Sequence, residues 1–252
     1  MSKIAAQLYT LRDYTRTPAD IAKTFRKVRE LGFEAVQCSA LGKIEPAELA
    51  RILRDEGLVC CATHASLDRL ENEPAKVIEE HRMWDCHFTA LGHFGVKDAS
   101  RQTWLDFSDR FNRIAAGFDG SGLAVGYHNH SHELARFDGQ TALGLLIEKL
   151  NKKVWLEIDT FWITHGGGDP AAWIDSVSGR IPCVHLKDMQ IGPDDKQRMA
   201  EVGQGNLNWQ RIFPACRSAG VQWYIIEQDT CYRDPFESLK ISLDYVKGMG
   251  VK

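Results

Sequence analysis

The sequence predicts a single closed (β/α)8 barrel domain over residues 1–252, and three observations support this fold. The length of 252 residues is the usual size of one such barrel. Short β-rich apolar runs alternate with amphipathic helical segments from end to end, without a linker or low-complexity stretch. No GxGxxG motif follows the first apolar run, although this motif marks the commonest cofactor of open parallel sheets. We therefore favour the closed barrel over an open sheet.

Helix start and stop signals define the elements of the first half. Pro18 opens the first helix and Gly32 ends it, with apolar residues between them at helical spacing. The fourth strand is poorly marked, and its best candidate is residues 93–96, interrupted by Gly95. The other predicted strands of this half are 4–9, 33–38 and 58–63, and the predicted helices are 18–31, 46–56 and 73–91.

The second half continues the alternation with clearer boundaries. A helix over residues 101–118 precedes the glycine-containing break at 119–122. The glycine run at 166–168 has no Lys or Arg beside it, so it predicts a turn rather than a phosphate-binding loop. The remaining predicted strands are 123–128, 154–159, 181–186 and 222–227, and the remaining helices are 141–150, 170–177, 209–219 and 235–249.

Composition excludes several classes of function. A net charge of -3 without a basic run argues against binding of a nucleic acid backbone. The seven cysteines contain no CxxC pair, which is typical of reduced, buried thiols in a cytoplasmic protein. The first residues lack the apolar core of a signal peptide, and no apolar run is long enough to span a membrane. We expect a cytoplasmic protein that acts on a small molecule, and both a monomer and a homo-oligomer are compatible with the sequence.

The most informative feature is a set of acids and histidines at the ends of four apolar runs. The carboxyl ends of barrel strands meet at one rim, where several carboxylates are costly unless a cation or protons neutralise them. A mixed shell of carboxylate and imidazole suits Mn2+, Mg2+, Co2+ or Zn2+. The pattern therefore indicates a metal-dependent enzyme for a polyhydroxylated substrate. The four segments are GYHNHSHE at 126–133, LEID at 156–159, CVHLKD at 183–188 and IIEQD at 225–229.

Alternation along the strands places particular residues at this rim. Lys187 continues the inward face of strand seven, whereas His130, His132 and Glu133 lie beyond strand five, where alternation no longer applies. The residues that alternation directs inward are His128, Asp159, His185 and Glu227.

Nearly the whole chain resembles the sugar phosphate isomerase/epimerase proteins, which have a xylose-isomerase-like barrel related in fold to endonuclease IV. The resemblance implies one divalent metal held by acidic and His residues of strands five to eight, which polarises a carbonyl and hydroxyl pair. When the family's metal-ligand positions are transferred to this sequence, the resemblance implies Asp159, His185 and Glu227 as ligands. The segments that carry the resemblance are QLYTLRD, LGFEAVQ, GYHNHSHEL, LEIDTFWITHGGGDPAAWI, GRIPCVHLKDM, VGQGNLNW and YIIEQD.

The chain departs from this family at strand five. Many relatives have a Glu directly before Asn-His, where this chain has His128. We expect Glu133 to be the fourth ligand, with His128 as the alternative. A Glu at that position is a natural proton carrier in the epimerases. Its absence indicates a branch with changed chemistry, such as dehydration or elimination on a keto-sugar or keto-inositol.

The expected roles follow from these positions. Lys187 is expected to stabilise an enolate, with an ion pair to Asp188 as the alternative. A flanking histidine, His130 or His128, or Lys187 itself is expected to move the proton. The expected catalytic residues are Glu133, Glu227, His130 and Lys187. The expected substrate-binding residues are Gln7, His64, His128 and Trp162.

The leading functional hypothesis is a metal-dependent isomerase or epimerase for a sugar, keto-sugar or cyclitol that is not strongly anionic. A lyase or dehydratase for a keto-sugar or keto-inositol, and a non-catalytic sugar-binding barrel, are the alternatives. A DNA-repair endonuclease would need a three-metal cluster and a basic face, and neither the ligand count nor the net charge of -3 supports one.

Overall fold

The computed structural model describes residues 3–251, so Met1, Ser2 and Lys252 of the predicted domain lie outside the described residues. Eight parallel strands form a closed barrel, in which the last strand pairs with the first through Ala5 and Ile225. The predicted (β/α)8 barrel is confirmed. Its strands are β1 (Ile4–Gln7), β2 (Ala35–Cys38), β3 (Val59–Ala65), β4 (Phe88–Leu91), β5 (Ala124–His128), β6 (Trp155–Asp159), β7 (Cys183–Leu186) and β8 (Trp223–Ile226).

Helices surround the barrel and follow its strands. None of those in the described part of the chain has the length and apolar content needed to span a membrane. The 3-10 segments are Leu8–Tyr14 and His132–Leu134, and an antiparallel hairpin joins Asp188–Ile191 to Gln197–Ala200. The α-helices are α1 (Pro18–Glu30), α2 (Pro46–Asp55), α3 (Leu67–Asn72), α4 (Pro74–Met83), α5 (Arg101–Ala116), α6 (Ala142–Lys149), α7 (Thr160–His165), α8 (Pro170–Ser176), α9 (Trp209–Ala219) and α10 (Pro235–Gly248).

The fourth strand lies earlier in the chain than the sequence predicts. The predicted strand at 93–96 is wrong, and so is the helix predicted to run to residue 91, because α4 ends at Met83 and β4 begins at Phe88. Asp85 adopts a φ of 50°, a left-handed conformation that stops the helix and that Asp tolerates better than most residues. The N–H of Cys86 then donates to the His81 carbonyl at 2.9 Å and closes the helix end.

Three smaller differences between the predicted and the observed elements lie at the carboxyl ends of the strands. The first strand ends at Gln7, two residues before its predicted end, and a 3-10 segment follows it. The short helices α3 and α7 follow β3 and β6 directly, and neither is predicted from the sequence. Ser66 and Asp159 cap their N-termini by accepting a backbone N–H at the third helical position.

The barrel interior is filled in layers. Trp155 of β6 points inward and packs among small residues such as Ala62 and Cys183. Gly126 of β5 is required beside it, because a Cβ at that position would lie 2.3 Å from the indole ring. Because alternate residues of β6 face inward, Glu157 and then Asp159 lie successively nearer the carboxyl rim. The indole therefore closes the barrel below a polar layer.

Candidate metal centre

A pocket of about 620 Å³ opens at the carboxyl ends of the barrel strands. This is the rim where active sites of (β/α)8 enzymes lie. The side chains around it include several imidazoles, an indole, an ammonium and two carboxylates, which are suited to a polar ligand. Those that matter most for the site are His64, His130, Trp162, Lys187, Glu227 and Asp229.

Four potential ligand atoms converge at the base of the pocket. His128, Asp159, His185 and Glu227 each offer one atom, and these atoms lie within 4.8 Å of one another. Asp159 Oδ2 lies 3.2 Å from His128 Nε2 and 3.6 Å from His185 Nδ1. Glu227 Oε2 lies 2.9 Å from the same His185 nitrogen. These four residues, from the ends of β5 to β8, are called the rim cluster below.

Hydrogen bonds outside the rim cluster fix the tautomers of its two histidines. His128 Nδ1 lies 3.0 Å from the Gly92 carbonyl, which only accepts, so this nitrogen carries the proton. His185 Nε2 lies 2.6 Å from Gln37 Oε1, while the Gln37 amide NH2 donates to Glu157 at 2.9 Å. Because the carboxylate requires the NH2 group, the Gln37 oxygen must accept from His185. In the neutral form, each histidine therefore turns an unprotonated nitrogen towards the carboxylates.

This donor set fits a divalent ion. An unprotonated nitrogen facing a carboxylate oxygen at 2.9–3.2 Å is repulsive unless a proton or a metal ion lies between them. Within residues 3–251, the buried Nδ1 of His185 has no hydrogen-bond partner. Outer hydrogen bonds that leave the inner nitrogen free are typical of metal-bound histidines. Two imidazoles and two carboxylates suit Mn2+, Co2+ or Zn2+.

The electrostatic field at the rim cluster attracts positive charge. Burial lowers the pKa of His185, but the carboxylates of Glu157 and Glu227 outweigh burial and hold this pKa well above its ordinary value. Burial and the neighbouring His185 lower the pKa of His128, which favours its neutral, ligating form. A proton and a metal ion would therefore compete for His185.

Asp159 is oriented by two backbone contacts. Its Oδ1 accepts the N–H of Trp162 at 2.9 Å, as the N-cap of α7, which leaves Oδ2 for the rim cluster. Its own N–H donates to the Asn129 side chain at 3.0 Å. The asparagine after His128 thus links the ends of β5 and β6.

Lys187 lies beside the rim cluster with three carboxylate partners. Its buried ammonium is 3.0 Å from Asp159 Oδ2, 2.7 Å from Glu227 Oε2 and 2.9 Å from Asp229 Oδ2. Asp188, the alternative partner considered from the sequence, instead accepts five N–H groups from the following loop and Trp209.

The structure does not bring Glu133 to the rim cluster. Its carboxylate is fully buried and accepts the Tyr127 hydroxyl at 2.7 Å and the His130 N–H at 2.9 Å. The 3-10 turn after β5 directs Glu133 back towards Tyr127, whereas His128, the last residue of the strand, points at the other ligands. The strand-five side chain that faces Asp159, His185 and Glu227 is therefore His128, the alternative considered from the sequence, and not Glu133.

The other expected site residues divide between the pocket and the layer beneath it. His64, His130 and Trp162 line the pocket. Burial and the neighbouring His128 lower the pKa of His130 to about 2, so this imidazole is neutral near pH 7. Gln7, expected to bind substrate, instead lies fully buried below the pocket and donates to Gln37 Oε1 at 2.6 Å.

Sequence reasoning missed three residues that organise the site. Gln37 and Glu157 form the polar layer that holds His185 and His64, and Glu157 Oε2 lies 2.7 Å from His64 Nε2. Asp229 pairs with Lys187. Gln37 and Glu157 could have been found from the sequence, because each is a long polar side chain at an inward position of an apolar strand. A buried polar group at such a position requires a hydrogen-bond partner.

Comparison with known proteins agrees with this architecture. The family model described as xylose isomerase-like TIM barrel matches residues 25–249. An inosose dehydratase from Geobacillus thermodenitrificans (strain NG80-2) is 25% identical over 166 residues, 59% of this chain and 55% of that protein. The chain thus matches about half the length of this curated relative.

Solved structures share the fold over nearly all of the chain. A sugar phosphate isomerase/epimerase from Parabacteroides distasonis ATCC 8503 has a TM-score of 0.84 at 22% identity, covering 100% of this chain and 96% of that one. An L-ribulose 3-epimerase has a TM-score of 0.75 at 17% identity, covering 100% and 95%. The family resemblance seen in the sequence is confirmed, and the chain belongs to the xylose isomerase-like TIM barrel family.

Proposed function

We propose that this protein is a divalent-metal-dependent isomerase or epimerase that moves a proton next to the carbonyl of a sugar, keto-sugar or cyclitol. The observation that carries the proposal is the rim cluster, in which two imidazoles, in their neutral forms, turn unprotonated nitrogens towards two buried carboxylates. Such a donor set at the floor of a polar pocket is suited to hold an ion against substrate oxygens.

The ion would be held by His128, Asp159, His185 and Glu227, and it would polarise a carbonyl and an adjacent hydroxyl, acidifying the C–H between them. Lys187 provides a fixed positive charge near the same oxygens, beside Glu227. An ammonium at this place stabilises negative charge that develops on a substrate oxygen.

His64 is suited to hold the transferred proton. Its Nε2–H donates to the buried Glu157 at 2.7 Å, so the neutral ring has an unprotonated Nδ1, 3.5 Å from the Ser39 hydroxyl at the pocket wall. A carboxylate behind an imidazole orients the ring and fixes its tautomer. His64 therefore serves as a proton carrier in the proposal, in addition to its expected contact with substrate. Glu227, a member of the rim cluster, and Lys187 beside it are the expected catalytic groups on the metal side of the pocket.

A dehydratase is the second candidate, and the identity of the strand-five ligand favours it. With His128 in the rim cluster, a carboxylate that would return a proton in an epimerase is replaced by an imidazole. The curated relative named above is an inosose dehydratase. Loss of a hydroxyl next to the acidified C–H needs the same first proton transfer, followed by departure of water.

The pocket favours an uncharged substrate. Among the described residues that line it, Lys187 is the one cation other than histidine, and three carboxylates already surround its ammonium. A phosphate group would find no free Lys or Arg partner there. We therefore propose a free keto-sugar or keto-cyclitol as the substrate class.

Proton NMR in D2O tests these alternatives on the Mn2+-loaded protein, with the Mn2+ removed before each spectrum. A ketose or keto-inositol that exchanges a C–H for deuterium without losing water supports an isomerase or epimerase. An unsaturated product supports a dehydratase, and binding without either change supports a sugar-binding barrel. Asp159→Asn should abolish turnover, whereas Asp119→Asn, at an exposed position on the opposite end of the barrel, should not. Equal turnover by both variants would contradict the proposed site.

A further inference from the structure

Two of the three carboxylates around Lys187, those of Asp159 and Glu227, also belong to the rim cluster. The ammonium contacts Asp159 Oδ2 and Glu227 Oε2, the same oxygens that face the histidine nitrogens. A metal ion in the rim cluster would use these oxygens. The ammonium and the ion therefore draw on one pair of carboxylates, and two positive charges a few ångströms apart repel each other.

Asp229 is the carboxylate partner of Lys187 that the rim cluster does not include. Its Oδ2 accepts a hydrogen bond from the ammonium at 2.9 Å. Lys187 is almost fully buried, so its charge needs a partner when the other two carboxylates turn to an ion. Asp229 meets this need without competing for the ion.

The segment that carries Asp229 is held by the first strand's 3-10 extension. Arg12 donates to the Asp229 carbonyl at 2.9 Å and to the Tyr9 carbonyl at 2.8 Å, and its guanidinium lies over the Tyr9 ring. The N–H of Gln228 donates to the Thr10 hydroxyl at 3.0 Å. These contacts fix the Asp229 backbone beside the pocket, so its carboxylate is a fixed anchor for Lys187.

We infer that Asp229 is a positioning residue that shares the Lys187 ammonium with Asp159 and Glu227 and keeps it paired at the pocket wall when an ion takes up the metal-binding oxygens of those two. This inference rests on the proposed metal site and adds a role for a residue outside the ligand set. Without Asp229, Lys187 has only the metal-binding carboxylates as partners and contests them with the ion.

A double-mutant cycle on Mn2+ affinity tests the inference. Isothermal titration of the chelator-treated protein with Mn2+ compares the wild type, Asp229→Asn, Lys187→Met and the double variant. Asp229→Asn should weaken Mn2+ binding about 10–100-fold, the range for outer partners of metal ligands. Lys187→Met should strengthen binding, because it removes the competing charge.

The decisive quantity is the effect of Asp229→Asn in the two backgrounds. It should be at least about tenfold larger when Lys187 is present than in the Lys187→Met protein, a coupling typical of interacting residues. Equal weakening in both backgrounds would show that Asp229 acts on the ion directly, and an unchanged affinity would show that it has no role. Either result overturns the inference.

The wild-type titration separates this inference from the proposed function, and two further measurements separate it from misfolding. If the wild type binds Mn2+ and the cycle shows no coupling, only the role of Asp229 fails. If the wild type binds no Mn2+, the proposed metal site fails and this inference fails with it. Circular dichroism melts of all four proteins confirm the fold, and Asp229→Glu, which keeps the charge, should bind Mn2+ more tightly than Asp229→Asn.

Discussion

Replacing Glu133 by glutamine is expected to remove a pH-dependent loss of stability. The Glu133 carboxylate is fully buried, and it accepts the Tyr127 hydroxyl at 2.7 Å and the His130 N–H at 2.9 Å. Burial raises the pKa of Glu133 from its ordinary 4.5 to about 7, although both hydrogen bonds oppose the rise. Near neutral pH, this side chain therefore ionises inside the protein.

The sign of the effect follows from proton linkage. Between pH 4.5 and about 7 the folded protein holds a proton on Glu133 that the unfolded chain has released. The free energy of unfolding therefore falls as the pH rises through this interval. The difference between the two pKa values corresponds to about 3 kcal/mol, which is fully lost above about pH 8.

Glutamine has the same shape but does not ionise. Its oxygen can accept one of the two hydrogen bonds, and its NH2 group then faces the other donor, which costs about 1–3 kcal/mol at every pH. Glu133→Gln should therefore be less stable than the wild type near pH 5, and this deficit should shrink by about 3 kcal/mol near pH 8.

Urea unfolding of the metal-free proteins at about pH 5, 6, 7 and 8 measures this difference. The matched control is Glu79→Gln, at an exposed position of α4, which should keep the pH dependence of the wild type. The same pH dependence in Glu133→Gln and the wild type would refute the reasoning. Mn2+ affinity, measured in parallel, should change little in Glu133→Gln, because the proposed metal site uses His128 and not Glu133.

Three further substitutions test other parts of the structure. Gly126→Ala places a Cβ 2.3 Å from the Trp155 ring and should cost about 1–3 kcal/mol in thermal unfolding; an unchanged melting temperature would contradict the packing described. Gln37→Met removes the acceptor for the His185 Nε2–H and should weaken Mn2+ binding about 10–100-fold in a titration. An affinity equal to that of the wild type would show that this hydrogen bond does not orient His185. Asp188→Asn replaces one oxygen that accepts N–H groups with an NH2 group and should lower the free energy of unfolding in urea by about 1–3 kcal/mol. An unchanged free energy of unfolding would mean that these hydrogen bonds are redundant.

The barrel could be predicted from sequence because most element boundaries carry a local signal. Pro18 and Gly32 mark the limits of the first helix through their own backbone preferences. The end of α4 has no such signal, since Asp85 takes a left-handed conformation that its sequence does not require. The apolar residues of β4 therefore fit a continuation of the helix, and the sequence pattern predicts the strand too late in the chain.

The candidate site was predictable where strand geometry fixes the side chains. Alternation alone directs Asp159, His185 and Glu227 to one rim. Glu133 lies beyond the end of β5, where a 3-10 turn sets its direction and local sequence does not. The role of Gln37 depends on a hydrogen bond to His185, 148 positions away in the chain, so only the folded structure shows it.

The measurement that tests the central claim most directly is the anomalous diffraction of a crystal soaked in Mn2+. We expect one strong anomalous peak at the rim cluster, roughly 2.0–2.6 Å from His128 Nε2, Asp159 Oδ2, His185 Nδ1 and Glu227 Oε2. A peak coordinated by Glu133, or saturating Mn2+ with no peak at the four side chains, would contradict the account.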